Sequence, residues 1–426
     1  MVSAENSLQS PSNSLPSATF RGVLPFYAVE AMSTVGGTLM SVGIFFYMHH
    51  RFGWQMPQNF MLAAAQGIVY VPGALLAGPA VARFDPRRTL GAVYGSLALI
   101  GLTAYLLAGS VNSYSAARVA VALLGYTFVI GLSWPILEGL VASGGAPTGL
   151  ARRISIYNVI WPAGAALVAS VEGTILKYWI AGLFLIPAFL HLCSFMVMLL
   201  VRPAAPPESV DLQRKAHPEP EPELLRKRQL ALWLSRTALP ATYTVIYGLM
   251  PMMPSLPVMR PLSTTLETVV GSVWLTTRLL AFIILALGSW WHTRPRALLW
   301  AAIVMLVAFF GMTLRPTGGA SPTADLISMI AWQAVLGLAI GMIYSGSLYF
   351  GMVLSEGSTE HGGYHEALIG LGWILGPAAG VGAQQLRPDS VWMGIAAVGS
   401  VIAASVLVVI VTTIVMGRKR VLSAEC

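Results

Sequence analysis

Runs of about 20 or more mainly apolar residues recur along the chain, separated by short segments where Arg, Pro, Gly and Asp gather. None of these runs alternates strictly between apolar and polar residues, and each is long enough to cross a bilayer's hydrocarbon core as a helix. Placing breaks at the polar clusters predicts spans at 22–48, 58–82, 89–110, 114–142, 153–176, 179–201, 230–257, 266–291, 296–314, 323–353, 363–386 and 390–416. Lipid offers backbone N–H and C=O groups no partner, so each span must satisfy them internally, which a helix does. The predicted fold class is all-α integral membrane, with twelve transmembrane helices.

One segment interrupts the rhythm. Residues 202–228 hold six prolines and the run Pro218–Glu219–Pro220–Glu221–Pro222–Glu223, which reads as a polar, extended linker. The expected organisation is a cytoplasmic tail at 1–21, a six-helix bundle at 22–201, a cytoplasmic linker at 202–229, a second six-helix bundle at 230–416 and a cytoplasmic tail at 417–426. The first twenty residues are rich in Ser and Asn and lack a basic segment ahead of a short apolar one, so no cleaved signal is expected.

Composition agrees with lipid as the solvent. The hydrophobic set makes up 56% of the chain and charged residues only 10%, whereas soluble domains carry about a quarter charged residues. The net charge of +8 does not point to nucleic acid, because the basic residues sit in short loops between apolar runs. With the N-terminus inside, the inner segments hold 17 Lys and Arg and the outer ones 6, among them Arg51, Arg118, Lys177 and Arg387. That bias places both termini in the cytoplasm, as an even number of spans requires. Cys193 lies in an apolar run and Cys426 is terminal, so neither a disulfide framework nor a thiol metal site is expected.

The two halves echo each other. Pro86–Arg87 and Pro295–Arg296 stand 209 positions apart in the short inner loops after spans 2 and 8, and Gly164 and Gly372 stand 208 apart in spans 5 and 11. The first of those loops carries Gly78, Arg83, Asp85, Arg87 and Arg88. Span 4 carries Gly125 and Trp134–Pro135, and span 11 carries Gly372–Trp373–Ile374–Leu375–Gly376–Pro377. On these residues the chain resembles the major facilitator superfamily. In that family's loop signature an acid stands where this chain has Ala82, with Asp85 shifted nearby. The family's span-4 arginine is missing, and Val168–Ala169 occupies the Gly-Pro position of its span-5 antiporter motif. The resemblance implies two pseudo-symmetric six-helix bundles and a midplane cavity lined by spans 1, 4, 7 and 10 that opens alternately to each side.

Ionisable residues inside spans cost a few kcal/mol and call for an explanation. Glu30 lies about 12 Å into span 1, at ~1.5 Å per residue, too deep for a short side chain to reach water. It reads as a substrate or proton site, or as a structural partner for a buried base or hydroxyl. Arg278, near the centre of span 8, must face a cavity or an acid, and Glu30 is its candidate partner. Arg236 has a stem long enough to snorkel to the interface. Glu366 follows His365 close to the inner end of span 11 and reads as part of a cytoplasmic gate. Glu138 and Glu172 sit near span ends and read as interfacial, and His191 as a hydrogen-bonded packing residue. Among neutral groups, Asn158, Trp161, Tyr243, Tyr247, Gln333 and Tyr344 are cavity candidates. Tyr243 and Tyr247, four apart, share a helix face.

Chemistry-bearing motifs are otherwise missing. No G-x-x-x-x-G-K-[ST] occurs, Ile369 stands where a zinc H-E-x-x-H begun by His365–Glu366 needs histidine, and no G-x-S-x-G is found. No enzyme activity, metal or cofactor is expected. The reading is a secondary carrier of a small organic solute, coupled to protons or another ion, working as a monomer in a bacterial inner membrane. Two alternatives remain open at this level: a proton-driven exporter of lipophilic compounds, and a receptor or assembly factor on the same scaffold.

Overall fold

The computed structural model describes residues 17–109, 113–144, 149–201, 222–314, 321–355, 358–388 and 390–422. The expected tail up to residue 16, the linker from 202 to 221 and the last four residues lie outside the described residues. Among the described ones every regular element is helical. In chain order they are α1 (Ser17–Thr38), α2 (Ile44–Phe52), α3 (Met56–Arg83), α4 (Pro86–Leu107), α5 (Ser113–Ser143), α6 (Leu150–Tyr178) and α7 (Gly182–Leu200). After residue 221 come α8 (Pro222–Met252), α9 (Thr264–Gly271), α10 (Val273–Leu287), α11 (Arg296–Thr313), α12 (Pro322–Leu354), α13 (Thr359–Leu386) and α14 (Val391–Leu422).

Among the described residues, eleven helical stretches are long and apolar enough to cross a membrane. α1 and α2 count as one of them, joined by a π-helical turn at Leu39–Gly43, and α9 and α10 as another. The exception is α8, the seventh expected span. Its first turns carry Arg226, Lys227 and Arg228, and its second half, from Ala238 to Leu249, is buried by other helices. A helix sheathed by protein needs less apolar surface than one facing lipid, so its composition suits its surroundings.

Three boundaries differ from expectation. The linker expected up to residue 229 gives way earlier, because α8 begins at Pro222. Proline suits a first helical position, and an ion pair at 2.6 Å joins Glu223 to Lys227 one turn later. α14 continues past 416 to Leu422, and α1 starts at Ser17, ahead of residue 22. Terminal turns of this kind reach beyond the apolar core, where hydropathy no longer marks them.

Local chemistry ends the helices where the polar clusters lie. Asp85 caps α4, its Oδ1 accepting from the backbone N–H groups of Arg87 and Arg88 at 3.1 and 2.9 Å, with Pro86 in the first helical position. Gly53 ends α2 in the left-handed region at φ 69°, its N–H returning to the His49 carbonyl at 3.0 Å. Arg153 is buried, its Nε on the Val141 carbonyl at 3.0 Å and its Nη2 on that of Ala142 at 2.5 Å. A basic residue expected to mark the inner loop thus satisfies the last carbonyls of α5.

The helices before and after the linker meet along two seams. In one, α3 lies against α13 so closely that a Cβ on Gly67 would come within 2.8 Å of the Ile374 nitrogen, and one on Gly370 within 2.6 Å of Val71. Glycine permits this approach, as small residues do between membrane helices. In the other, α6 lies against α9 and α10, with the hydroxyls of Ser170 and Ser272 at 3.5 Å. The candidate site lies between the seams.

Candidate functional site

A cavity of about 140 Å³ lies between the two groups of helices, reaching from Glu30 and Glu366 to Ser41 and Met250. Residues of α1, α5, α8 and α12 line it, from the four spans the resemblance implied. So do Tyr70 of α3, Tyr157 and Trp161 of α6, Arg278 of α10 and Trp373 of α13. The π-helical turn supplies Ser41 and Val42. One extra residue per turn rotates the helix beyond it and exposes side chains a straight helix would hide, a device common at functional sites.

The walls are largely aromatic. Tyr247 stacks on Trp373, their ring centres 3.9 Å apart and planes 8° from parallel. Trp161 packs on Tyr344 at 4.9 Å, and Tyr243 lies 6.2 Å from Tyr247 on the same helix face. Of the residues singled out from sequence, Glu30, Trp161, Tyr243, Tyr247, Arg278, Tyr344 and Glu366 line this cavity. Asn158 and Gln333 are buried but do not line it.

The charged groups fall into two sets. Arg278 is one. Its guanidinium carbon sits 4.3 Å from the ring centre of Trp161 and 5.1 Å from that of Trp274. The expected pairing with Glu30 is not formed: among the described residues no ion pair involves Arg278. Glu30 is fully buried and accepts from the Thr34 hydroxyl at 3.3 Å instead. Their places in opposite halves make the two residues candidates, but the neighbours of the guanidinium are the rings of Trp161 and Trp274.

The other set is acidic and lies where α13 begins. Glu366 accepts a hydrogen bond from Tyr70. One ligand atom each from Glu138, His365 and Glu366 lies within 4.8 Å of the others. Glu138 is fully buried, and neither of its oxygens receives a hydrogen bond. His365 is held through Nδ1 by the Ser347 hydroxyl at 2.9 Å, leaving Nε2 unpartnered. Glu138 therefore does not serve the interface as expected. It comes from α5, whereas His365 and Glu366 come from α13, so the cluster bridges the two halves. Gly362 makes room for it, since a Cβ there would lie 2.8 Å from Glu138 Oε2.

Two further expectations change. Arg236 is only partly free to snorkel: the side chain is half-buried, and its Nε and Nη2 are buried without partners. Glu172 is buried, 2% exposed, close to Gly43. Both expectations rest on distance to a span end, which says nothing of the direction a side chain points. His191 is buried, with Nε2 2.6 Å from the Tyr126 hydroxyl.

The loop residues stand apart from the cavity. Arg83, Asp85 and Arg88 are exposed and Arg87 half-buried. Gly78 faces α13, where a Cβ would come 3.7 Å from the Glu360 Cα. Sequence reasoning misses Tyr70 and Trp373 as lining residues and gives Glu138 the wrong place. Trp373 stands inside the glycine-rich element of span 11, where the glycines draw the eye, and Tyr70 carries no signal, being one tyrosine in an apolar run.

No curated protein matches the chain. A family model described as Major Facilitator Superfamily matches residues 26–377, from the first turns of α1 to the middle of α13. Two groups of helices meeting along two seams around a central cavity fit that match, and the chain belongs to the major facilitator superfamily.

Proposed function

We propose that the protein carries a small organic solute across the membrane by alternating access and couples that movement to protons. The observation that carries the reading is the acid pair Glu138–Glu366, buried and shared between the two halves. With both carboxylates ionised and no more than 4.8 Å apart, the pair repels by at least ~3.5 kcal/mol at an effective dielectric of about 20. One proton makes one carboxyl a donor to the other and turns repulsion into a hydrogen bond. Protonation then holds α5 to α13, and deprotonation drives them apart. Proton binding is thereby tied to which side of the membrane the cavity faces. Glu30 lies in the same cavity and extends the proton's path toward the solute. Both termini lie on the cytoplasmic side in this reading.

Reconstituted protein with a trapped pH indicator tests it. A panel of small organic solutes is added, and at least one is expected to drive proton movement with its own entry. Glu138→Gln keeps the side chain's shape but cannot ionise, so solute exchange should persist while proton movement stops. Equal proton movement in that variant removes the pair from coupling, and absence of flux for every solute removes transport. The exporter of bulky lipophiles is disfavoured by the cavity of ~140 Å³, against roughly 300–1,000 Å³ for sites that enclose drug-sized molecules.

A further inference from the structure

Among the described residues Arg278 is the one basic side chain lining the cavity, and it is 4% exposed. A guanidinium keeps its charge in any protein environment, so burial cannot be relieved by losing a proton. A charge held away from water needs a counter-charge, and leaving it unpaired costs several kcal/mol. The hydroxyls of Tyr243, Tyr344 and Tyr247 stand around the guanidinium, and among the described residues no carboxylate forms an ion pair with it. The Arg278 Nε has no hydrogen-bond partner. Neither of the cavity's own acids pairs with it: Glu30 accepts from Thr34 through Oε1 and leaves Oε2 unpartnered, and Glu366 accepts from Tyr70.

The indoles of Trp161 and Trp274 lie against the guanidinium. A guanidinium's hydrogen-bonding capacity lies along its edge, in the plane of the fork. A planar carboxylate meets such an edge with two parallel bonds. Beside it, Trp161 and Tyr344 offer flat apolar surface. We infer that Arg278 anchors the anionic group of the transported solute, and that the solute is a small organic carboxylate with a flat, single-ring or similarly compact body. This rests on the carrier reading for the word transported; the binding site itself does not.

Thermal unfolding of the purified protein in detergent tests the anchor without requiring flux. The probes are benzoate and 4-hydroxybenzoate, their neutral amides, the cation benzamidine, and benzenesulfonate. Saturable stabilisation by the carboxylates and none by the amides or benzamidine is expected, since a binder raises the unfolding temperature by mass action. Benzenesulfonate should bind more weakly, because a sulfonate spreads its charge over three oxygens and each is a weaker hydrogen-bond acceptor than a carboxylate oxygen. In Arg278→Gln the carboxylate's apparent affinity should fall roughly 10- to 100-fold, the loss of charge-assisted hydrogen bonds. Arg278→Lys, which keeps the charge but not the fork, should fall in between. The unliganded Arg278→Gln protein should unfold no earlier than the wild type, because it has lost an uncompensated buried charge. If that variant does not fold, the comparison of acid with amide on the wild type decides alone.

Stabilisation by the amides equal to that by the acids overturns the inference. So does an unchanged carboxylate response in Arg278→Gln, a response to benzamidine alone, or no response to any carboxylate up to its solubility limit. Carboxylate binding without flux would leave the anchor standing and remove the carrier. Flux confined to neutral solutes would do the reverse.

Discussion

Gly78 of α3 and Glu360 of α13 face each other at one end of a seam between the two halves, and a Cβ on Gly78 would lie 3.8 Å from the Cβ of Glu360. Disulfides span Cβ atoms about 3.5–4.5 Å apart, so the pair Gly78→Cys with Glu360→Cys should oxidise without backbone movement. Cys193 and Cys426 are replaced by serine beforehand, so that no other thiol competes. Once formed, the bridge holds the two Cβ atoms within ~4.5 Å, which lets this end of the seam part by less than about 1 Å. Passage of even a water-sized sphere needs about 2.8 Å, twice the 1.4 Å probe radius. A carrier that must open here once per cycle is therefore locked, because a ligand cannot draw the protein into a state the tether forbids. Solute-driven proton movement in liposomes should fall to that of protein-free vesicles on oxidation and return on reduction, with cross-linking verified by mass spectrometry. The two single-cysteine variants control for the loss of glycine and glutamate. Fully cross-linked protein that transports as fast as the reduced form would refute alternating access through this seam, and failure to cross-link would refute the seam's geometry.

Three other features make measurable demands. Arg153→Ala leaves the Val141 and Ala142 carbonyls without their charged donor and should cost about 2–4 kcal/mol, read as earlier thermal unfolding in detergent, with Arg153→Lys recovering part. Gly67→Val places a side chain where Ile374 and Trp373 offer only backbone at 2.8 Å; overpacking of about 1–3 kcal/mol should lower both stability and the yield of the Gly78→Cys/Glu360→Cys bridge. His292, in the turn between α10 and α11, has its imidazole pushed down from 6.5 to about 4 by burial and by the charge of Arg228. Below pH 6.5 the unfolded chain binds a proton there that the folded chain refuses, so this contribution is complete above 6.5 and is lost as pH falls toward 4. The side chain is only half-buried, so the effect should stay under about 2 kcal/mol. His292→Gln should flatten the dependence of unfolding temperature on pH in that window, and an unchanged slope would assign it to other groups.

Solvent decides which parts of this molecule can be read from its residues. Lipid demands a helix wherever it touches the chain, so the apolar runs mark twelve spans, eleven of which are helices long and apolar enough to cross a membrane among the described residues, and the polar clusters between them become the caps at Asp85 and Gly53. The same logic picks out Glu30 and Arg278, because a charge inside such a run must have a reason to be there. Where protein rather than lipid surrounds a helix, that contrast disappears. α8 is nearly enclosed over its second half and is the least apolar of the expected spans, marked from sequence at 230–257 by the polar segments on either side of it. α6 and α12 show no stripe that tells cavity from packing face, so Asn158 and Gln333 cannot be separated from Trp161 and Tyr344. Glu138 misleads for a related reason: near the end of α5 it is close to water along the axis, yet its side chain points sideways onto α13. Depth along a helix is a property of one segment, whereas direction around it is set by a partner more than two hundred residues away. The acid cluster and the arginine without an acid partner are both products of that second coordinate. Each is a visible charge in the sequence, but whether it meets an acid, a ring or nothing depends on how the two halves come together.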